Sequence, residues 1–476
     1  MKGMDLAEYA LEQGLKEGAS YVEARYEDAR QGQFILKNGV PELGAFDCTK
    51  GLGIRLLANG GMGFASLNDL TKKNVEDAVR EAVKLAKRSG GLRKHPIEFS
   101  EENVYQTNWS VQSKERPTEV DPERKMAVLF EMDKAATDKE LPIPIRYRIF
   151  FLFDTELTKY YVNSEGTQIS SFLPVLLYYI ILTALTSTGQ TEQISQTSGA
   201  SGGYELLKEW DLPQMVKERA IGLGKIVKDA QAPPKGTLDF VLGNQIVGII
   251  CHENSGHPSE ADRILGREGA QAGESYLKPE MLGTQIASEH VTIIDDPTLP
   301  RSAGFYLYDD EGVRARPRYL IRNGIFTEML HNRETAKLME TQSTGASRGI
   351  GFNCEPIIRM ANTYMAEGDY TEEELIEDIK LGIFMKYFQE WNIDDRRFQS
   401  KYVGSEAYLI KNGEIKSLIR RPVLETTTPG LFYSIDACSK GLEFEGAICG
   451  KGDPMQGAPV WHGGAKAIRL RNIIVR

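Results

Sequence analysis

Near its midpoint the chain reads Thr237-Leu-Asp-Phe-Val-Leu-Gly-Asn-Gln-Ile-Val-Gly-Ile-Ile-Cys-His-Glu-Asn-Ser-Gly-His257. The first six residues, Thr237–Leu242, have the apolar and β-branched content of a strand. From about Asn244 onward, isoleucine and valine are so closely spaced that a mostly buried helix is predicted. The stretch therefore predicts a strand and helix that carry two histidines at the end of the helix.

These two histidines, His252 and His257, come from a total of six in the chain, and Glu253 directly follows the first. Two neutral imidazoles can hold a transition metal, while an adjacent carboxylate that is not coordinated takes a proton from water. The pattern predicts a metal site with Glu253 as the general base. The alternative is a pair of core or surface histidines beside a solvated glutamate.

The spacing of the two histidines is unusual for a helix. A step of five residues turns about 140° around a regular helix, so both side chains would not share a face. In one solution the helix ends with Gly256 in the left-handed conformation, and Pro258 disfavours the α region for His257. In the other, a π-bulge brings the two histidines onto the same face. We favour the helix end.

A third ligand must come from another part of the chain. Cys449 lies in the glycine-rich stretch Gly446–Gly452, which would let the backbone approach a site closely. Cys438 or His462 would serve as well. Cys251 is disfavoured because neighbouring helical residues point about 100° apart. The residue pattern alone leaves the third ligand open.

The overall composition excludes several classes of protein. The 476 residues include 57 Lys and Arg against 67 Asp and Glu, a net charge of −10, which gives nucleic-acid phosphates little to bind. Five scattered cysteines fit a reducing compartment, so a cytoplasmic location is expected. The most hydrophobic stretch, Phe172–Leu185, is broken by Pro174 and is shorter than the roughly 20 residues that span a bilayer. We expect it to be a buried strand, and we expect no membrane association.

The first 90 residues predict a sheet with a helix on one face. Tyr21–Glu27 alternates apolar and charged residues as a half-buried strand does. Asn38-Gly39 supplies a hairpin turn, and Gly51–Leu57 and Gly63–Ser66 form a strand pair. A helix is predicted from about Thr71 to Lys87.

Beyond an unassigned segment, 91–140, an antiparallel meander is predicted from Ile143 to Ser198. Its turns are expected at 154–156, 163–166 and 187–189, and 198–203 is expected to be a flexible connector. A helix beginning at Pro213 follows. The fold class is mixed α/β (α+β) in two domains, an N-terminal sheet-plus-helix domain over 1–232, with a break near 91–140, and a C-terminal metal-binding domain over 233–476.

Several blocks in one order give the sequence a close resemblance to the TldD/PmbA family of metallopeptidases, on the catalytic, TldD-type side. The resemblance covers most of the chain. The blocks are Gly51–Ser66, Asn163–Gly166, His252–Asp262, Asp309–Gly312, Arg359–Thr363 and Cys449–Lys451. One departure is Pro258, where many relatives carry glycine.

The resemblance implies Zn²⁺ held by His252, His257 and Cys449, with Glu253 as general base of a peptidase. It also implies that peptides or unfolded segments bind extended in an enclosed cavity, and that the protein forms a homodimer or a heterodimer with a non-catalytic paralogue. The alternatives are a non-hydrolytic peptide-binding or regulatory subunit with a structural metal, and a metal hydrolase acting on a non-peptide amide.

Four further residues are candidates for supporting roles. Glu260 and Asp262 are solvated or capping acids, or one of them holds a ligand histidine in place. His290 and His331 are weak candidates for stabilising the oxyanion, each with a structural role as the alternative.

Overall fold

The computed structural model describes residues 3–269 and 273–475, so the outermost residues of both predicted domains lie outside the described ranges. The N-terminal strands form one seven-stranded sheet with the path β3-β2-β1-β5-β6-β4, and β7 pairs with β6. All pairs are antiparallel except β4 with β6. These strands are β1 Tyr21–Lys37, β2 Val40–Ala58, β3 Gly61–Leu67, β4 Gln106–Ser110, β5 Tyr147–Asn163, β6 Gln168–Leu185 and β7 Thr191–Ser201.

Helices cover this sheet in two groups with separate hydrophobic cores. The first and second helices pack on β1–β3, whereas the third and fifth pack on β1, β5 and β6 and on each other. The helices are α1 Gly3–Lys16, α2 Lys72–Gly90, α3 Pro122–Ala136, α4 Leu206–Trp210 and α5 Leu212–Asp229. The predicted helices that begin near Thr71 and Pro213 are thus confirmed as α2 and α5.

The rest of the chain forms two six-stranded sheets and smaller pieces. One sheet has the order β19-β18-β15-β8-β24-β21 and the other β11-β10-β9-β14-β23-β22. The strands are β8 Gly236–Gly243, β9 Ile293–Asp295, β10 Arg318–Arg322, β11 Ile325–Phe326, β12 Ser347–Arg348, β13 Ile357–Ile358, β14 Asn362–Met365, β15 Leu381–Met385, β16 Phe388–Ile393, β17 Gln399–Gly404, β18 Ala407–Lys411, β19 Glu414–Ile419, β20 Val423–Thr427, β21 Ile435–Cys438, β22 Leu442–Lys451, β23 Gln456–Ala465 and β24 Ala467–Val475.

The helix that precedes the two histidines lies between these sheets, in contact with β8 and β24 of one and with β14, β22 and β23 of the other. All seven of its residues are buried, as the dense isoleucine and valine content predicts. The helices of this part are α6 Asn244–Ile250, α7 Ala261–Ile264, α8 Arg333–Leu338, α9 Glu372–Ile376 and α10 Thr428–Ser434. The mixed α/β fold class is confirmed.

The prediction of a half-buried strand at Tyr21–Glu27 is wrong about burial, since both faces are buried. Apolar side chains such as Val22 pack under α1 and α2. The charged side chains face the later part of the chain, where Arg25 donates to the carbonyls of Gly351 and Cys354 at 2.8 Å. The alternation of apolar and charged residues along this strand therefore matches two different buried environments, an apolar one under the helices and a polar one against the later part of the chain.

Two predicted breaks in the meander are also wrong. Residues 154–156 lie inside β5, where the Asp154 carboxylate accepts hydrogen bonds from Lys125 Nζ at 2.9 Å and Tyr204 Oη at 2.7 Å. Residues 198–201 end β7 and are not a flexible connector. Their small side chains let β7 approach β22, and Thr197 Oγ1 donates to the carbonyl of Gly446 at 2.9 Å.

The meander β5-β6-β7 itself is confirmed, with turns at 163–166 and 187–189. Phe172–Leu185 lies within β6, as predicted. The unassigned segment 91–140 contains β4 and α3. In the described part of the chain, no helix combines the length and apolar character that crossing a bilayer requires.

Candidate metal centre

The chain continues from α6 into a π-helix, Cys251–Gly256, and then into a 3₁₀ turn, His257–Ser259. The amide of His257 donates to the carbonyl of His252, five residues earlier. Because the wider turn contains an extra residue, side chains five apart share a face. Gly256 has a right-handed φ of −58°. Our preferred prediction, a left-handed helix end, is therefore wrong, and the π-bulge is correct.

Gly256 and Pro258 both fit this backbone course. A Cβ atom on Gly256 would lie 1.8 Å from Met360 Sδ, so any larger residue there would have to displace the buried Met360 side chain. Pro258 occupies the start of the 3₁₀ turn, where the missing N–H leaves no hydrogen bond unmade. His257 nevertheless has right-handed backbone angles, with φ −59° and ψ −45°, so the prediction that Pro258 keeps it out of the α region is wrong.

Three potential ligands meet at this point. The donor atoms of His252, His257 and Cys449 all lie within 4.8 Å of one another, and all three residues are buried. The Cys449 Sγ atom is 3.5 Å from His257 Nε2, and the two imidazole rings are 4.8 Å apart at 82°. Cys449 comes from β22, so the cluster joins the helix to a strand of the neighbouring sheet. Cys438, the alternative, instead lies against Met365 Sδ and the carbonyl of His290.

The electrostatic environment suits a metal. Burial lowers the pKa of His252 and of His257, which keeps both imidazoles neutral near pH 7. Burial opposes ionisation of the Cys449 thiol, but the neighbouring His257 and Arg359 outweigh it and lower the pKa of the thiol to about 7. Neutral imidazoles and a thiolate are the forms that bind metal.

Hydrogen bonding orients the ligands. His257 Nδ1 lies 3.1 Å from Glu260 Oε2, which leaves Nε2 directed to Cys449. In the described part of the chain His252 Nδ1 is buried without a hydrogen-bond partner, an arrangement that an additional ligand would explain. The residues present thus fit a metal ion.

The two acidic candidates behave differently. Glu260 is fully buried and also accepts from Arg263 Nε at 2.6 Å and lies 3.2 Å from Lys451 Nζ. Burial alone would raise its pKa, but Lys451 and Arg263 hold it well below the usual range. Asp262 pairs with Lys451 at 2.7 Å and makes no hydrogen bond to a histidine. Of these two acids, as far as the described residues show, Glu260 is the one that contacts a ligand histidine.

Glu253 lies beside the cluster and forms a short ion pair with Arg397 Nη1. Arg397 has a left-handed φ of 60° in the turn between β16 and β17. Its carbonyl accepts from Thr428 Oγ1 at 2.7 Å, and this hydroxyl accepts from Asn254 Nδ2 at 2.6 Å. The turn is thereby tied to the π-helix. No sequence signal marks Arg397, because 144 positions separate it from its partner.

A cavity of about 520 Å³ opens onto these groups, and His252, Glu253, His257, Arg397 and Cys449 line it. Aromatic residues form part of the wall, namely Tyr178, Tyr179, Phe388 and Trp391. A second cavity of about 600 Å³ adjoins it, and Phe153, Leu177 and Ile448 line both. The two together run between the N-terminal sheet and the later part of the chain.

Three of the four remaining histidines were candidates for a role at the site, and they occupy distinct positions. His462, which the sequence offered only as an alternative ligand, lines the cavity, and its ring lies 6.1 Å from that of His252. The two oxyanion candidates do not line it. His290 is exposed, and His331 is buried elsewhere with Nδ1 3.1 Å from Thr335 Oγ1. Chain position alone could not separate these three.

Comparisons with known proteins agree with this architecture. Three family models match in order: PmbA/TldA metallopeptidase domain 1 over residues 22–86, the central domain over 115–223 and the C-terminal domain over 235–459. The chain is 32% identical to a metalloprotease of Methanocaldococcus jannaschii, over 94% of this chain and 96% of the relative. It is 26% identical to a zinc metalloprotease TldD homolog of Saccharolobus solfataricus, over 91% and 92%.

The crystal structure of TldE from Thermococcus kodakarensis superimposes with a TM-score of 0.74 at 17% identity, covering 99% of each chain. The family models and the relatives named as metalloproteases, together with the buried histidine–cysteine cluster, define a metallopeptidase. The chain belongs to the PmbA/TldD family of metallopeptidases.

Proposed function

We propose that this protein is a TldD-type, catalytic zinc peptidase in which His252, His257 and Cys449 hold the metal and Glu253 is the general base. The observation that carries the proposal is the convergence of three buried donors within 4.8 Å in a cavity that Glu253 also lines. Three protein ligands leave a coordination position open, which is typical of catalytic rather than structural zinc.

Zinc is the metal that this donor set favours, because imidazole and thiolate together suit Zn²⁺ and disfavour the hard cations. The zinc metalloprotease homolog supports the same choice. When bound, zinc supplies a Lewis acid that acidifies water and polarises a peptide carbonyl. Glu260 would hold His257 in the orientation that presents Nε2 to the metal.

Glu253 carries the proton in the proposed reaction. Its carboxylate takes a proton from the attacking water as the new C–O bond forms and the carbonyl electron pair moves to oxygen. The same carboxyl group then gives the proton to the leaving nitrogen as the C–N bond breaks. Arg397 is a positioning residue, since its ion pair with one oxygen of Glu253 fixes the carboxylate and leaves the other oxygen for water.

The proposed substrates are peptides or unfolded segments, which would lie extended through the two adjoining cavities. A folded domain would not enter a space of about 520 Å³. We further propose a dimer, with either a second copy or a non-catalytic paralogue, and a cytoplasmic location. The acidic net charge argues against direct nucleic-acid binding.

The test compares Glu253→Gln with the wild type and with Glu373→Gln, which alters an exposed glutamate on α9. We expect Glu253→Gln to retain one zinc per chain and to lose at least about 10²-fold in kcat on a peptide library. The Glu373→Gln protein should match the wild type. Undiminished cleavage by a zinc-loaded Glu253→Gln protein would contradict the mechanism.

The same experiment separates the alternatives. A wild-type protein that binds zinc and peptide but cleaves nothing would instead be a peptide-binding subunit with a structural metal. Cleavage of simple amides without cleavage of peptides would indicate an amide hydrolase.

A further inference from the structure

His462 is the group at the metal centre that the proposed mechanism does not yet use. It lies on β23 directly opposite Glu445 of β22, and side chains of such a pair share one face of the sheet. Cys449 lies four residues along β22 from Glu445, so it projects from that same face. The hairpin therefore presents His462 and Cys449 to one cavity, which both line.

The ring of His462 has an unsatisfied nitrogen. His462 Nε2 is buried and has no hydrogen-bond partner among the described residues. Its ring lies 6.1 Å from the His252 ring at 82°. A buried imidazole nitrogen without a partner is costly, so an arrangement of this kind is expected where a ligand supplies the partner.

Water can meet this nitrogen while the cavity is empty, and two partners can replace that water during catalysis, namely the metal and the substrate. The cluster of donors within 4.8 Å consists of His252, His257 and Cys449, and His462 lies outside it. A fourth protein ligand would also close the position that catalysis needs. The geometry therefore favours the substrate.

We infer that His462 donates a hydrogen bond to the oxygen of the scissile carbonyl and stabilises the negative charge that develops there during attack. This inference rests on the proposed peptidase function. A donor held in place before reaction, in a largely buried site, stabilises the transition state more than the bound substrate. The role is catalytic because the imidazole would touch the reacting oxygen.

The variants His462→Leu and His462→Gln test it. Leucine removes the donor, whereas glutamine keeps an N–H group at similar reach. His331→Gln is the control, since it replaces a buried histidine outside the cavity. For each zinc-loaded protein, zinc content, thermal unfolding, kcat and KM on a cleaved peptide, and affinity for a phosphinic peptide that mimics the tetrahedral oxyanion are measured.

We expect His462→Leu to keep its zinc and to lose roughly 10²–10³-fold in kcat, with a comparable loss of phosphinic-peptide affinity. In the inactive Glu253→Gln background, the same change should alter substrate affinity by less than about threefold. His462→Gln should recover at least about tenfold of the lost rate, and His331→Gln should resemble the wild type.

Loss of zinc from His462→Leu would overturn the inference in favour of a ligand role. Equal losses for substrate and phosphinic peptide, or unchanged kcat, would also overturn it while leaving the peptidase function intact. An inactive wild type would instead show that the proposed function itself has failed, and this inference would fall with it.

Discussion

Two buried networks of charged side chains occupy this molecule, and they differ in how completely they are satisfied. The first, called here the interface network, consists of Glu23, Arg55, Glu311 and Arg333. Arg55 donates from Nε to Glu23 at 2.8 Å and from Nη2 to Glu311 at 2.6 Å, and the amide of Arg333 donates to Glu311 at 2.7 Å. It joins the N-terminal sheet to the later part of the chain.

The second network surrounds the candidate metal centre, where Glu260 links His257, Arg263 and Lys451. In the described residues the four side chains of the interface network have no buried nitrogen or oxygen without a hydrogen-bond partner. The metal centre has four such atoms, namely His252 Nδ1, Glu260 Oε1, Arg397 Nε and His462 Nε2. Both regions bury charge, and of the two the metal centre is the one that leaves buried polar atoms for a ligand to meet.

The largest effect on stability is expected in the interface network, where every buried polar side-chain atom has a partner. Arg55→Met leaves two buried carboxylates without their cation, so we expect a loss of about 3–5 kcal/mol in the free energy of unfolding. Urea unfolding of the zinc-loaded protein measures it. A loss below about 1 kcal/mol would mean that the interface network is not a structural unit.

Removal of metal should have the next largest effect. Zinc bound only to the folded state adds about 4 kcal/mol when free zinc is 1,000 times its dissociation constant. We expect chelation to lower the unfolding temperature of the wild type. The His257→Ala protein, which lacks a ligand, should unfold at the same temperature with and without chelator. An equal response of both proteins would contradict the assignment.

Glu260 should contribute less than a ligand. Glu260→Gln removes the charge that holds His257, so we expect zinc to bind about 10–100-fold more weakly. Competition with a chromophoric chelator measures the affinity. Asp262→Asn is the matched control, because Asp262 contacts the same lysine but makes no hydrogen bond to a histidine. If Asp262→Asn weakened zinc binding more than Glu260→Gln did, Asp262 and not Glu260 would be the acid that supports the ligand histidine.

The smallest effect is expected at an exposed ion pair. Arg80 and Asp77 lie on α2 with about half of each side chain exposed. Arg80→Met should leave the free energy of unfolding unchanged within the error of the measurement, because water and salt screen the pair. Urea unfolding of this variant gives the reference value with which the loss in Arg55→Met is compared. A change as large as that of Arg55→Met would remove the contrast between buried and exposed pairs.

Local patterns predicted those features that depend on neighbours in the chain. The apolar spacing of α2 and the turn residues at 163–166 gave the right elements because helix faces and turns are set by nearby residues. The strand at Tyr21–Glu27 was predicted with the wrong burial. The charged face of this strand meets partners far along the chain, since Arg25 donates to the carbonyl of Gly351 across 326 positions and to that of Cys354 across 329.

The sequence by itself identified the pair His252 and His257, the adjacent Glu253 and the family resemblance that pointed to Cys449. It could not choose between a helix end and a π-bulge, because the same residues, including Gly256 and Pro258, are compatible with both. Arg397, the choice of Glu260 over Asp262 as the holder of His257, and the position of His462 in the cavity likewise emerged only from the tertiary structure. Arg397 meets Glu253 across 144 positions, and His462 reaches the cavity from β23; local sequence patterns carry no information about contacts of this kind.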